Sequence, residues 1–203
     1  MRGKLIVFEG IDGSGKDTCQ NYVAKYLKKE KVPFIKTEEP NSKYGIRSII
    51  KDKLLQKQLT KDPLVDMFAF SLDRQLHVAG EILPSLKKGI TVLTNRYYHS
   101  TIAYQGYLQG INLDYVMAVQ KIFPKPDLTL IFDLPAELAI KRAAKRSTIK
   151  DKFETLESQR KLRAAYLDIA QVLKENIIVI DATKSEKTVA QQAIKAIKLI
   201  LKS

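Results

Sequence analysis

Short apolar runs alternate with amphipathic segments along this chain. Leu5-Ile6-Val7-Phe8, Pro33-Phe34-Ile35-Lys36, Ile90-Thr91-Val92-Leu93, Leu128-Thr129-Leu130-Ile131-Phe132 and Ile177-Ile178-Val179-Ile180 are the strand candidates. Runs this short and nearly continuous suit strands of a parallel sheet that is buried on both faces. Between them the period changes to that of a helix. Val23, Tyr26 and Leu27 fall at helical spacing, as do Leu162, Tyr166, Ile169 and Leu173, and again Val189, Ala193, Ile197 and Ile200. Lysines occupy the other face of the last set, the pattern of a helix packed on one side. The alternation predicts an α/β fold with a five-stranded parallel sheet flanked by helices. No repeat, low-complexity tract or Pro/Gly/Ser linker interrupts residues 1–203, so one domain is expected. The basic stretch 142–153 is the least core-like and is expected to form a short lid.

The strongest chemical signal lies where the first strand meets the first helix. Gly10, Ile11, Asp12, Gly13, Ser14, Gly15 and Lys16 follow Phe8-Glu9 directly, and Asp17 and Thr18 come next. A glycine, four residues and then Gly-Lys, placed after a strand and before a helix, make a loop that wraps phosphates in backbone N–H groups. The helix that follows adds the positive end of its dipole. Lys16 supplies a point charge to the outer phosphates. The residue after such a lysine is usually Ser or Thr, whose hydroxyl ligates Mg²⁺. Here it is Asp17, itself a hard-oxygen donor suited to Mg²⁺; Thr18 and the nucleotide with water are the alternatives.

Composition narrows the setting. The formal net charge is +13, which favours anionic partners without choosing among nucleotides, nucleic acid and membrane surfaces. No helix-turn-helix, zinc-finger or RNA-binding signature accompanies it, so no nucleic acid is expected as a partner. The single cysteine, Cys19, excludes an internal disulfide and suits a reducing compartment. With two histidines and that one cysteine there is no zinc pattern. The first apolar run is too short for a membrane span and ends at Glu9, so no membrane partner is expected and the location is read as cytoplasmic.

Several further blocks occur in order: Glu39-Pro40, Phe70-x-x-Asp73-Arg74 with His77, Pro84-x-Leu86-x-x-Gly89, Asn95-Arg96-Tyr97, Ser100-x-x-Ala103-Tyr104-Gln105-Gly106, Pro124-Lys125-Pro126-Asp127-Leu128-Thr129 and Asp181-Ala182-Thr183. Together with the loop they resemble thymidylate kinases along nearly the whole chain. The resemblance implies a three-layer P-loop NTPase fold, ATP as phosphoryl donor with Mg²⁺, dTMP as acceptor, and a homodimer. It further implies that Arg96 contacts the dTMP phosphate and that Phe70 and Arg74, four apart and so on one helix face, stack on and bond to thymine. Thr101 and Gln105 then read the base edge, Tyr104 packs on the deoxyribose, and Asp12 accepts from the 3′-hydroxyl. Ser100, Glu39 and Arg47 are further acceptor-side candidates. Arg142 resembles the residue that stacks on adenine. Because Gly13 stands where some relatives carry a loop arginine, a lid cation is expected, with Arg146 first in line among Lys145, Lys150 and Lys152.

Departures from the family pattern are specific. Asn95 stands where Asp usually precedes the arginine, and Asp17 stands one residue after the loop lysine. A carboxylate lost at one position and gained at the other reads as relocation of one charge. Glu38 replaces an arginine common in bacterial relatives. His77 and His99 read as structural and Cys19 as a small buried residue. An acceptor other than dTMP, dUMP foremost, and an inactive kinase-like protein are the competing readings.

Overall fold

A computed structural model describes residues 2–44, 50, 62–144 and 155–202. Five strands form one sheet: β1 Leu5–Glu9, β2 Phe34–Glu38, β3 Thr91–Asn95, β4 Leu128–Asp133 and β5 Ile177–Asp181. Their order is β2-β3-β1-β4-β5 and every pairing is parallel. All five lie on the predicted runs, each reaching one or two residues further at its C-terminal end. The three central strands are buried along their length, apart from the half-buried last residue of β4, because helices cover both faces. The edge strands β2 and β5 are only half-buried, so the expectation of continuous burial holds for the centre of the sheet alone.

Among the described residues the α-helices are α1 Lys16–Lys29, α2 Pro63–His77, α3 Leu83–Lys87, α4 Tyr98–Thr101, α5 Leu113–Gln120, α6 Ala136–Ala143, α7 Leu156–Val172 and α8 Glu186–Leu201. Wider π-type turns at Val78–Ile82 and Ile102–Leu108 continue α2 and α4. Three long helices begin with a capping side chain: Asp62 accepts from the Leu64 amide, Thr155 from Ser158 and Ser185 from Thr188. Such caps contribute about 1 kcal/mol each by satisfying an amide that lacks a helical partner. Helix α1 starts instead at Gly15, left-handed and with no capping side chain, which leaves its first amides for another acceptor.

Strand order reverses beside β1, since β2 and β3 lie to one side and β4 and β5 to the other. In open parallel sheets that switch point, at the carboxyl ends of the strands, is where ligands bind. Phe8 pairs with Asn95, so the loop after β1 and the segment after β3 leave the sheet side by side. No helix among the described residues is long and apolar enough to cross a membrane.

Candidate active site

Two glycines of the loop are required by close approach. A Cβ on Gly13 would lie 2.2 Å from the Ala139 carbonyl oxygen of α6, and one on Gly10 would lie 2.8 Å from that of Phe132. Both residues also have positive φ. Helix α6 thus seats directly on the loop, and position 13 has no room for an arginine.

Lys16 is buried, and its Nζ donates to the Ile11 carbonyl at 3.3 Å and to Asp12 Oδ1 at 3.1 Å. Arg96 reaches the same oxygen from the other side, NH2 to Asp12 Oδ1 at 2.6 Å. Two cations from separate segments therefore meet on one carboxylate. Burial alone would raise the Asp12 pKa, but Arg96 and then Lys16 hold it well below the ordinary carboxylate range. Burial, and next the Arg96 charge, push Lys16 below the usual lysine value. Asp12 therefore stays ionised across the working pH range.

Arg96 itself has φ 69°, a left-handed conformation that costs a non-glycine residue on the order of 1–2 kcal/mol. The surroundings over-determine it. Its amide donates to the Phe8 carbonyl, and its carbonyl accepts from Thr94 Oγ1. Glu9, fully buried at the end of β1, accepts from the Tyr97 and Ser100 amides, from Ser100 Oγ at 2.7 Å and from the Tyr166 hydroxyl at 3.1 Å. NH1 of Arg96 donates to Ser100 Oγ at 3.2 Å, and its guanidinium lies 5.3 Å from the Tyr104 ring centroid. Glu9 and Tyr166 are absent from the sequence-based set. An acid that ends a core strand immediately before a phosphate loop is the signal for Glu9; a tyrosine within a helical stripe gives none for Tyr166.

Asn95 Nδ2 donates to Asp17 Oδ1 in a short contact. The two departures from the family pattern are thus neighbours. Among the described residues, Asn95 Oδ1 and Ser14 Oγ are buried without a hydrogen-bond partner. Asp17 and these oxygens are hard-oxygen donors of the kind that would suit Mg²⁺. Among the described residues, no group of three or more His, Cys, Asp or Glu side chains is arranged to hold a metal ion.

On the acceptor side Arg74 is tied into the protein. Its guanidinium is 2% exposed. Nε and NH2 go to Glu39 Oε2, each at 2.8 Å, and NH1 goes to Thr101 Oγ1 at 3.0 Å and Gln120 Oε1 at 2.7 Å. It also lies over the Tyr97 and Phe123 rings. Burial has committed most of its donors to protein, leaving at most one N–H for a base. Glu39 is likewise engaged, by Arg74 and by His77 Nδ1 at 3.1 Å, and so holds both in place. Thr101 holds Arg74, while Gln105 donates to Gln109 Oε1 at 3.1 Å. Phe70 is half-buried on the same helix. His77 bridges Glu39 and Thr37, and His99 is buried against Glu175, both within the scaffold.

Beside the loop is a cavity of about 240 Å³ between Gly13–Gly15, Thr18, Arg142 and the segment Ala182–Glu186. Arg142 NH1 donates to the Ala182 carbonyl at 3.1 Å, which fixes its plane across the cavity. Cys19 is buried as expected and also lines this wall with Val189; burial pushes its thiol up to about 12, so it is an inert surface. Arg47, Lys145, Arg146, Lys150 and Lys152 lie outside the described residues.

Comparison with known proteins agrees with this geometry. The thymidylate kinase family profile matches residues 8–194. A probable thymidylate kinase 1 of Saccharolobus solfataricus is 40% identical over 198 residues, covering 96% of each chain. A probable thymidylate kinase of Pyrococcus abyssi is 33% identical, over 98% of this chain and 97% of its own. A thymidylate kinase of Carboxydothermus hydrogenoformans is 35% identical, over 93% and 94%. With a phosphate loop at the switch point, an arginine strained toward it and this similarity over nearly the whole length, the chain belongs to the thymidylate kinase family.

Proposed function

We infer that this protein transfers the γ-phosphoryl group of ATP to dTMP, giving dTDP and ADP. The observation that carries the reading is the convergence of Lys16 and Arg96 on Asp12 Oδ1. Lys16 belongs to the donor loop and Arg96 to the segment assigned to the acceptor phosphate. The acceptor is already an oxyanion, so no general base is needed. What the protein must provide is in-line positioning and neutralisation of charge on the moving group. Loop amides and the free N-terminus of α1 hold the donor phosphates; Lys16 and Arg96 face the transferring group from opposite sides. Arg142 forms a platform for adenine over the cavity beside the loop. Asp17 and Asn95 Oδ1 would hold Mg²⁺, which when bound neutralises phosphate oxygens. ADP release measured with ATP and a panel of dTMP, dUMP and other monophosphates tests the reading. dTMP is expected to lead; equal rates with all acceptors, or none, would overturn it.

The Asp17–Asn95 contact supports relocation of one negative charge. Asn95→Asp alone would set two carboxylates against each other and is expected not to raise activity. Asp17→Ser combined with Asn95→Asp restores one carboxylate and is expected to remain active in the same assay. A dead double variant would contradict relocation.

A homodimer and a cytoplasmic location complete the reading. Leu64, Val65, Phe68 and Leu72 form an exposed apolar stripe along α2, from 39% to 51% exposed, which suits a self-complementary interface. Sedimentation equilibrium reads this against 23.0 kDa for one chain. The lone buried thiol suits a reducing compartment.

A further inference from the structure

Gln105 sits in the π-type turn that follows α4 and is 1% exposed. Its Nε2 donates to Gln109 Oε1 at 3.1 Å, and Gln109 Nε2 donates to Asp66 Oδ2 at 2.8 Å. Asp66 is on α2 and is also 1% exposed. A side-chain amide can in general be turned either way, because its two ends are alike in size. Here the orientation is dictated by chemistry. Asp66 Oδ2 accepts from Gln109, so the NH₂ of Gln109 is committed to Asp66. Gln109 then has only its carbonyl for Gln105, and Gln105 must answer with NH₂. That leaves the carbonyl oxygen as the end of Gln105 not engaged by Gln109.

We propose that Asp66 and Gln109 form a relay that fixes the amide polarity of Gln105 and so selects a pyrimidine carrying N3–H, as thymine does, over one whose N3 is a bare acceptor, as in cytosine. This rests on the acceptor reading above, in which Gln105 meets the base edge. Asp66 and Gln109 are positioning residues: they act through Gln105 and do not touch the base themselves. In a buried site an acceptor facing an acceptor leaves both unpaired, and a mismatch of this kind commonly costs about ten- to hundredfold in discrimination.

The test is the ratio of kcat/KM for dTMP to that for dCMP, measured in the full chain with Mg·ATP. Asp66→Asn allows either polarity and is expected to lower the ratio by about tenfold. Gln109→Lys donates both to Asp66 and to Gln105, turns the Gln105 NH₂ toward the base, and is expected to lower the ratio further. The double variant Asp66→Asn with Gln109→Glu restores the original polarity, because the introduced carboxylate accepts from both neighbours, and is expected to recover the parent ratio. A merely structural role would not produce recovery in the double variant. Single variants that keep the parent ratio, or a double variant no better than Asp66→Asn, overturn the relay. If Asp66→Asn does not fold, Gln109→Lys at its half-buried site decides alone, with ATP affinity as the control for an intact donor side. A parent protein that phosphorylates neither nucleotide overturns the acceptor reading, an outcome distinct from a parent that prefers dTMP and variants that do so equally.

Discussion

Lys16→Ala is expected to lower turnover by about 10²–10³-fold, the usual cost of removing one preorganised charge from a site of developing negative charge. The ammonium is buried and held by the Ile11 carbonyl and Asp12, so it is aimed before any substrate arrives. Losing it leaves the loop amides and the start of α1 in place. ATP should therefore still bind, more weakly, while kcat falls most. Steady-state kinetics with ATP and dTMP, together with a dTMP titration, separate these effects. dTMP affinity is expected to change little, because Arg96 and Asp12 retain their ion pair. Unchanged kcat in the variant would remove Lys16 from the mechanism.

The second large effect is expected at Arg96. Its backbone sits at φ 69°, where glycine is at ease and arginine is strained. Arg96→Gly therefore relieves backbone strain, offsetting the ion pair lost with Asp12. Thermal stability should stay within about 1 kcal/mol of the parent. Activity should fall by about 10²–10³-fold, with a rise in KM for dTMP, because the guanidinium fork is gone. Arg96→Lys keeps a charge but not the fork and keeps the strain; it should recover only part of the loss. Thermal unfolding and kinetics on the same preparations check the pair. A stable and fully active glycine variant would show that the strained residue serves the fold and not the transfer.

Strand positions, their parallel arrangement and the phosphate loop were legible in the sequence because each rests on a local rule. A continuous apolar run marks a strand buried on both faces, and Gly-x₄-Gly-Lys marks backbone amides turned inward. Spacing also placed Phe70, Arg74 and His77 on one helix, as observed. What spacing could not carry was the partner of each polar group. Arg74 is four residues from Phe70, but nothing local indicates that Glu39, Thr101 and Gln120, from three other segments, take up its guanidinium. The same holds for Glu9, whose carboxylate organises the turn after Arg96 from a position 87 residues earlier in the chain, and for Tyr166 beyond it. The short contact between Asn95 and Asp17 was legible in outline, since two departures of opposite sense suggested one relocated charge. Gln109 gave no signal, because a half-buried glutamine after a turn resembles any surface residue.

The central claim is direct transfer between two nucleotides held on either side of Asp12. ATP labelled at the γ-phosphorus, mixed with Mg²⁺, dTMP and the parent protein, tests it most directly. The label is expected in dTDP, in step with ADP and with little inorganic phosphate. Label recovered only as inorganic phosphate, or left in ATP, would contradict it.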